Sequence, residues 1–164
     1  MLKEQKGFTL VELLVVVAII GLLSTLAAVS LGSARSKARD AKRLSDIKQL
    51  STALELYYSD NNGYPAVAAA GINLGEGTNK SLSSVGFAAT PTAPTYMGNV
   101  PADPAPQASG GPLHYIYNSK ATDGVTNCTA APCPNYTIQV GLEGTTGGIV
   151  VPPTTHNATP SGLN

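Results

Sequence analysis

One stretch near the amino terminus decides how the rest of the sequence is interpreted. Residues 6–32 read KGFTLVELLVVVAIIGLLSTLAAVSLG, and Glu12 is the one charged residue after Lys6. An α-helix needs about 20 consecutive apolar residues to span the hydrocarbon core of a bilayer. The stretch is long enough to do so, and it predicts a transmembrane helix that begins at Phe8.

The position of Glu12 in this helix requires a partner. A carboxylate within a lipid-length segment costs about 2.5 kcal/mol or more when it is unpaired. Gly7 offers an unhindered peptide bond where the polar leader meets the apolar segment. Cleavage after Gly7 creates an α-amine on Phe8, close in depth to Glu12 of the same chain or of a neighbouring chain. The junction therefore predicts a processing site followed by a charge pair.

Simpler interpretations of this segment stay open. An ordinary secretory signal has a basic start and an apolar core, and residues 28–30 (AVS) are similar to its cleavage site. A plain single-pass anchor is the other alternative, but it explains neither Gly7-Phe8 nor Glu12. Taken alone, Glu12 is also compatible with a polar residue tolerated near the membrane interface.

A helix that continues beyond the apolar segment is predicted from the spacing of apolar residues. Ala41, Leu44, Ile47, Leu50 and Leu54 recur every three or four positions, which is one face of an α-helix. We expect the charged residues between them on the solvent side; these are Arg39, Asp40, Lys42, Arg43, Asp46 and Lys48.

The remaining sequence predicts a small β domain. Aromatic and β-branched residues cluster at 113–118, 135–142 and 147–151, which predicts three strands. Residues 66–112 lack a periodic run, and we expect a loop there with at most a short helix. The fold class is α+β, with a long amino-terminal helix packed on a small antiparallel sheet. The predicted segments are a leader at 1–7, a transmembrane helix at 8–32, its amphipathic continuation at 33–63, the sheet domain at 64–151 and a disordered tail at 152–164.

Composition excludes several classes of chemistry. The net charge is zero and 12% of residues are charged, so nucleic acid is not an obvious partner, and DNA contact by the basic residues at 35–48 has no further support. Two Cys and two His are too few for a zinc site or a Cys/His catalytic pair to be expected. We predict no catalytic residues, no metal and no cofactor. Cys128 and Cys133 are disulfide candidates in an oxidising compartment, with two free thiols as the alternative.

The motif KGFTLVE at residues 6–12 resembles the class III signal of type IV pilins and type II secretion pseudopilins. This resemblance implies that a prepilin peptidase cuts after Gly7 and N-methylates Phe8. It also implies that Glu12 sets the register between neighbouring subunits of a filament, whose core residues 8–32 would form. The implied fold is the pilin fold, and the chain is not expected to be an enzyme.

The same resemblance implies partners and location. They are a homo-oligomeric filament, an assembly ATPase, an inner-membrane platform protein and, before assembly, membrane lipid. The precursor is expected to be a single-pass inner-membrane protein that later enters an extracellular or periplasmic filament. The resemblance places the soluble domain outside the cytoplasm. Basic residues after the apolar segment outnumber those before it, so the positive-inside rule instead predicts a soluble domain in the cytoplasm.

The soluble part is similar to the major pseudopilin G subgroup at residues 46–65 and, less closely, at 96–117. Many members of that subgroup bind calcium, but here the comparable stretch 141–148 (GLEGTTGG) offers only Glu143. Calcium prefers six to eight oxygen ligands, so no site is predicted. The main interpretation is a type IV pilus subunit. The alternative is a pseudopilin of a type II secretion system, and the distant alternative is a membrane-tethered binding domain or enzyme.

Overall fold

The long amino-terminal helix is present as a single element. In a computed structural model, which describes residues 7–105, 114–144 and 155–163, helix α1 spans Leu10–Asn61. The chain divides into two compact units, Met1–Ser36 and Lys37–Asn164. Together with the antiparallel sheets described below, this helix confirms the predicted α+β class.

Local hydrogen bonds define both ends of α1. At its start, the Glu12 amide donates to Thr9 Oγ1 (3.2 Å) and the Thr9 amide donates to Glu12 Oε2 (2.8 Å). This reciprocal pair is a capping box, which satisfies two amides that have no partner inside the helix. At the other end Asn62 has a φ of 58°, and its amide donates to the Tyr58 carbonyl at 2.8 Å. Asparagine tolerates this left-handed conformation and so ends the helix.

In the first unit, the apolar side chains of α1 are exposed to solvent. Leu10 is 80% exposed, Leu13 is 62% exposed and Leu26 is 63% exposed. Among the described residues, α1 is the one helix whose length and composition would allow it to cross a membrane. The described part of the chain therefore supplies no cover for this apolar surface.

In the second unit, α1 has one buried face. Ile47, Leu50 and Leu54 are buried, as the spacing predicts. The expectation that Asp40, Arg43 and Asp46 face solvent is wrong, because all three side chains are buried. Each has a polar partner distant in sequence, which is Asp103 for Arg43, the Glu143 amide for Asp40 and the Tyr115 hydroxyl for Asp46.

The main sheet has five antiparallel strands, which are β1 Ile72–Asn73, β5 Ile116–Lys120, β6 Asn135–Gly141, β7 Thr155–Thr159 and β8 Gly162–Leu163. Their order in the sheet is β1-β5-β6-β7-β8. Tyr136, Ile138 and Val140 are buried along β6, as the alternation predicts, and Ile138 lies opposite Tyr117. The strand predicted at 135–142 is confirmed.

A second, three-stranded sheet lies where a loop was expected. It consists of β2 Ser81–Ser83, β3 Gly86–Ala88 and β4 Thr95–Met97, in the order β3-β2-β4. The prediction of a loop for residues 66–112 is therefore wrong in the described part of that range. Three residues are too few to show a two-residue period, which is why sequence periodicity missed these strands.

The predicted disorder of the tail is also wrong in its described part. β7 pairs with β6 and β8 pairs with β7, and Ala158 is 2% exposed. Here β6 provides the hydrogen-bonding partner that the sequence of the tail does not reveal. The strand predicted at 147–151 lies outside the described residues.

One hydrophobic core unites the elements of the second unit. Leu50 and Leu54 of α1 belong to the same cluster of buried residues as Tyr117, Ile138 and Val140 of the sheet. The amphipathic part of the helix is thus packed on the sheet, as the predicted fold requires. Val100 and Leu142 belong to the same core, so the packing fixes the ends of the loops that carry Asp103 and Glu143.

Candidate functional site

The predicted processing site is accessible at Gly7 and Phe8, the first two residues that the structure describes. Gly7 is exposed, and no atom lies within 4 Å of the position that a Cβ would occupy there. Phe8 is 84% exposed and precedes the first turn of α1. A protease would meet no obstruction from the described residues at this peptide bond.

Glu12 lies in the first turn of α1 and has local hydrogen-bond donors. Its Oε2 accepts from the Thr9 amide (2.8 Å) and from Thr9 Oγ1 (2.7 Å). The T-x-x-E spacing of a capping box is visible in the sequence and indicates this contact. The carboxylate is therefore oriented toward the amino-terminal end of the helix, and Glu12 follows Phe8 by four residues.

The structure brings the two cysteines together. Cys128 and Cys133 form a disulfide with an S–S distance of 2.07 Å. Next to it, the Tyr64 amide donates to the Cys133 carbonyl at 2.7 Å, and the Cys133 amide donates back to Tyr64 at 3.3 Å. The cysteine loop is thus joined to the segment that follows α1. A Cβ on Gly63 would lie 2.3 Å from the Pro132 Cβ, so only glycine allows this close approach.

A buried arginine forms an ion network that sequence reasoning missed. The Arg43 side chain is fully buried, and its Nε donates to Asp103 Oδ1 at 2.6 Å. Its Nη1 donates to Asp40 Oδ1 and Glu143 Oε1, each at 2.8 Å, and its Nη2 donates to the Pro104 carbonyl at 3.2 Å. One guanidinium therefore connects α1 to two separate loops. We call Arg39, Asp40, Arg43, Asp103 and Glu143 the Arg43 cluster.

Further bonds hold the loop after β6 to the helix. Asp40 accepts from the backbone amides of Glu143 (2.9 Å) and Gly144 (2.8 Å). Arg39 binds the Glu143 carboxylate through both Nε and Nη2. Since burying an unpaired charge is expensive, the pairing of each carboxylate with an arginine explains how so many charges lie beside the core.

The cluster changes the acidity of its carboxyl groups in opposite directions. The hydrogen bond from Arg39, reinforced by Arg43, lowers the pKa of Glu143 to about 2. Burial raises the pKa of Asp103 above its usual range, even though Arg43 opposes that rise. Glu143 is therefore held firmly as an anion, whereas Asp103 is charged less readily.

No metal centre is found among the described residues, in which no three His, Cys, Asp or Glu side chains are grouped suitably. Glu143, the one acidic residue of the stretch 141–148, is bound by two arginines. Arg39 and Arg43 thus supply the positive charge beside this carboxylate. The sequence-predicted residues Gly7, Phe8 and Glu12 lie together at the start of α1, while the disulfide and the Arg43 cluster lie in the second unit.

Comparison with known proteins places this geometry in a family. Residues 2–28 match the prokaryotic N-terminal methylation motif. The chain is 37% identical over 110 residues to the type II secretion system core protein G of Escherichia coli (strain K12), a match that covers 62% of this chain and 67% of the relative. No solved structure matches the chain.

Two shorter matches have the same name. The core protein G of Pectobacterium carotovorum subsp. carotovorum is 44% identical over 63 residues, which cover 38% of this chain and 40% of the relative. That of Aeromonas hydrophila is also 44% identical over 63 residues, and the match covers 44% of that protein. The chain thus spans less than half the length of these two relatives. With the methylation motif and the more extensive match to the Escherichia coli protein, the chain belongs to the family of type IV pilins and type II secretion pseudopilins.

Proposed function

We propose that this chain is the precursor of a pseudopilin, a structural subunit of the filament of a type II secretion system. The observation that supports this most directly is the exposed apolar surface of α1 immediately after Gly7-Phe8. Such a surface requires lipid or other chains to cover it. A helix that first lies in a membrane and then bundles with copies of itself satisfies that requirement.

The relatives favour the secretion role over the pilus role. Each of the three relatives described above is a type II secretion system core protein G. The interpretation that the sequence had placed first, a surface pilus subunit, uses the same processing motif but has no such support. A membrane-tethered enzyme has still less support, because the members of the family are structural subunits.

In the proposed mechanism, processing precedes assembly. Prepilin peptidase cuts after Gly7 and methylates the new amine of Phe8, while residues 8–32 hold the subunit in the inner membrane. An assembly ATPase and a platform protein then move subunits into a homo-oligomeric filament in the periplasm. Burial of apolar helix surface, which contributes about 25 cal/mol per Å², supplies most of the cohesion of the filament.

Glu12 is proposed to set the subunit register. The carboxylate is directed toward the amino-terminal end of α1 by Thr9, where processing creates a positive amine. An unpaired charge in a filament core is costly, so subunits whose Glu12 meets a neighbouring amine are favoured over other staggers.

The proposal is tested by mass spectrometry of the amino-terminal peptide from native cells. A peptide that begins with N-methylated Phe8, together with loss of exoprotein secretion when the gene is deleted, is the expected result. A peptide that begins at Met1 or near Leu31 would refute the processing step. If deletion of the gene leaves secretion normal but abolishes long surface fibres, the result would instead support the pilus interpretation.

A further inference from the structure

Beyond the apolar segment, acidic and basic residues of α1 differ in their exposure to solvent. In the sequence, Asp40 and Asp46 alternate with basic residues, an arrangement that predicts mutual neutralisation. In the structure both carboxylates are buried, at 0% and 5% exposure. The exposed charged side chains of residues 33–48 are all basic: Arg35, Lys37, Lys42 and Lys48.

The buried carboxylates have partners of their own. Asp40 is paired with Arg43 and with two backbone amides. Asp46 accepts from the Tyr115 hydroxyl at 3.1 Å and pairs with Lys42 at 3.3 Å. Neither carboxylate is therefore available to screen the basic residues farthest toward the apolar segment.

Two basic residues close to that segment have no counter-charge among the described residues. Within the part of the chain that the structure describes, Arg35 and Lys37 form no ion pair. They follow Leu31, the last apolar residue of the segment, by four and six residues. At 1.5 Å per residue of helix, this places them about 6 and 9 Å along the axis from Leu31.

These distances correspond to the headgroup layer of a bilayer. That layer is about 5–7 Å thick on each side of the hydrocarbon core, and a lysine or arginine side chain extends its reach further. An arginine presents parallel N–H donors that match a phosphate, and a lysine adds a mobile point charge.

We propose that Arg35 and Lys37 bind the phosphate headgroups of anionic phospholipids at the surface of the membrane that α1 spans. This inference rests on the proposed membrane-anchored precursor. Lys48 follows Leu31 by 17 residues, about 25 Å of helix, which is beyond the screening length of about 8 Å in physiological salt. It therefore provides a matched control with the same charge.

A second copy of the chain is the competing occupant of this basic surface. The exposed acidic residues farther along the helix, Glu55 and Asp60, would have to reach it. Both already accept hydrogen bonds in their own chain, from the hydroxyls of Tyr64 and Tyr96 respectively. If two copies span one membrane in parallel and at the same depth, Glu55 of the second copy, 20 residues beyond Arg35, stands about 30 Å of helix farther from the membrane. The charge of the basic surface and its position along the helix thus favour lipid over a second copy of the chain.

The test uses the full chain reconstituted in phosphatidylcholine vesicles that contain a minority of phosphatidylglycerol. The chain has no tryptophan, so Leu31→Trp, at an exposed position at the end of the apolar segment, provides a single fluorophore one helical turn before Arg35. Quenching is compared between vesicles in which only the phosphatidylglycerol or only the phosphatidylcholine is brominated on its acyl chains. The ratio, corrected for composition, reports the lipid enriched around residue 31.

We expect phosphatidylglycerol to be enriched about fivefold for each basic residue in contact with the surface at physiological salt. The enrichment should disappear in Arg35→Gln/Lys37→Gln and at high salt, and it should persist in Lys48→Gln. Equal quenching by both lipids in the parent protein would overturn the proposal while leaving the membrane anchor intact. So would a preference that survives the double substitution.

Two other outcomes identify a different cause. If neither lipid quenches, α1 is not in the bilayer, and the membrane anchor of the proposed function fails together with this inference. If quenching shows no lipid preference but the double substitution weakens chemical crosslinking between chains, the basic surface binds a second copy and the lipid proposal is wrong.

Discussion

Residues 10–31 and residues 37–61 belong to one helix, yet their side chains have very different surroundings. In the first region Leu13 and Leu26 are more than 60% exposed, whereas in the second Leu50 and Leu54 are completely buried. The charged residues show the converse, because Arg43 and Asp40 are buried in the second region. Leucine is thus left uncovered in one region while arginine is enclosed in the other.

This difference shows that the two regions depend on different sources of stability. The second region is stabilised within the chain, by a shared core and by the Arg43 cluster. The first region gains its stabilisation only when lipid or other chains cover it. Substitutions in the first region should therefore affect processing and assembly, and substitutions in the second should affect folding.

The largest expected effect is the loss of processing in Gly7→Leu. A bulky side chain beside the proposed cleavage site should leave the leader attached, because it would hinder the access of a protease to this peptide bond. Mass spectrometry of the amino-terminal peptide measures this. Gly21→Leu is the control, since Gly21 has no atom within 4 Å of its Cβ position and should be processed. A normally shortened Gly7→Leu product would contradict the assignment.

The next effect is the loss of assembly in Glu12→Ala, which should still be cleaved. Filament yield measures it, because the substitution removes the carboxylate that we propose pairs with a neighbouring amine. Thr9→Val separates this role from helix capping. It removes the hydroxyl partner at a cost of about 1 kcal/mol to the helix but keeps the carboxylate. Equal loss of filaments in both variants would mean that capping, not register, is the role of Glu12.

In the second region, Arg43→Met should have the largest effect on folding. It leaves Asp40, Asp103 and Glu143 without their shared partner, and breaking a buried pair costs about 3–5 kcal/mol. Urea unfolding of the full chain in detergent measures the free energy. Lys48→Met, at an exposed position, should leave it unchanged. Processing should remain normal in both variants, and a processing defect in Arg43→Met would break the separation of the two regions.

A smaller effect is expected when the disulfide is removed. Cys128→Ser/Cys133→Ser opens a loop closed over a sequence separation of five residues. Loop-closure entropy for so short a loop corresponds to about 2 kcal/mol. Urea unfolding of this variant can be compared with that of the parent protein before and after reduction. A variant as stable as the oxidised parent would show that the bonds between Tyr64 and Cys133 suffice.

The smallest effect is a pH dependence of folding. Because the pKa of Glu143 falls from its ordinary value of 4.5 to about 2 on folding, its contribution is complete above pH 4.5 and is lost as pH falls toward 2. Asp103 acts in the opposite sense, since its raised pKa lowers stability as pH rises through that raised value. Urea unfolding across acidic pH should show a shallower loss in Glu143→Gln. An identical slope in the variant would contradict this role.

Local patterns explain why so much of the helix was predictable. The predicted helix, residues 8–63, differs from the observed Leu10–Asn61 by two residues at each end. Apolar spacing, the absence of proline and the turn formers after Asp60 all act within a few residues of one another. The strand predicted at 135–142 succeeded for the same reason, because its two-residue period is long enough to see.

Long-range partners explain what was missed. Arg43 contacts Asp103, 60 residues away, and Glu143, 100 residues away. No local pattern distinguishes a buried arginine with such partners from an exposed one. The same holds for β7, whose hydrogen bonds depend on β6, and for the three-residue strands of the second sheet.

By itself, the sequence determined the apolar helix, the Gly7-Phe8 junction and the position of Glu12, because each depends on residues that adjoin one another. Only the tertiary structure decided which charges of the helix are buried and which are exposed. That outcome depends on loops brought from far along the chain, since a buried charge is tolerated only where a partner meets it.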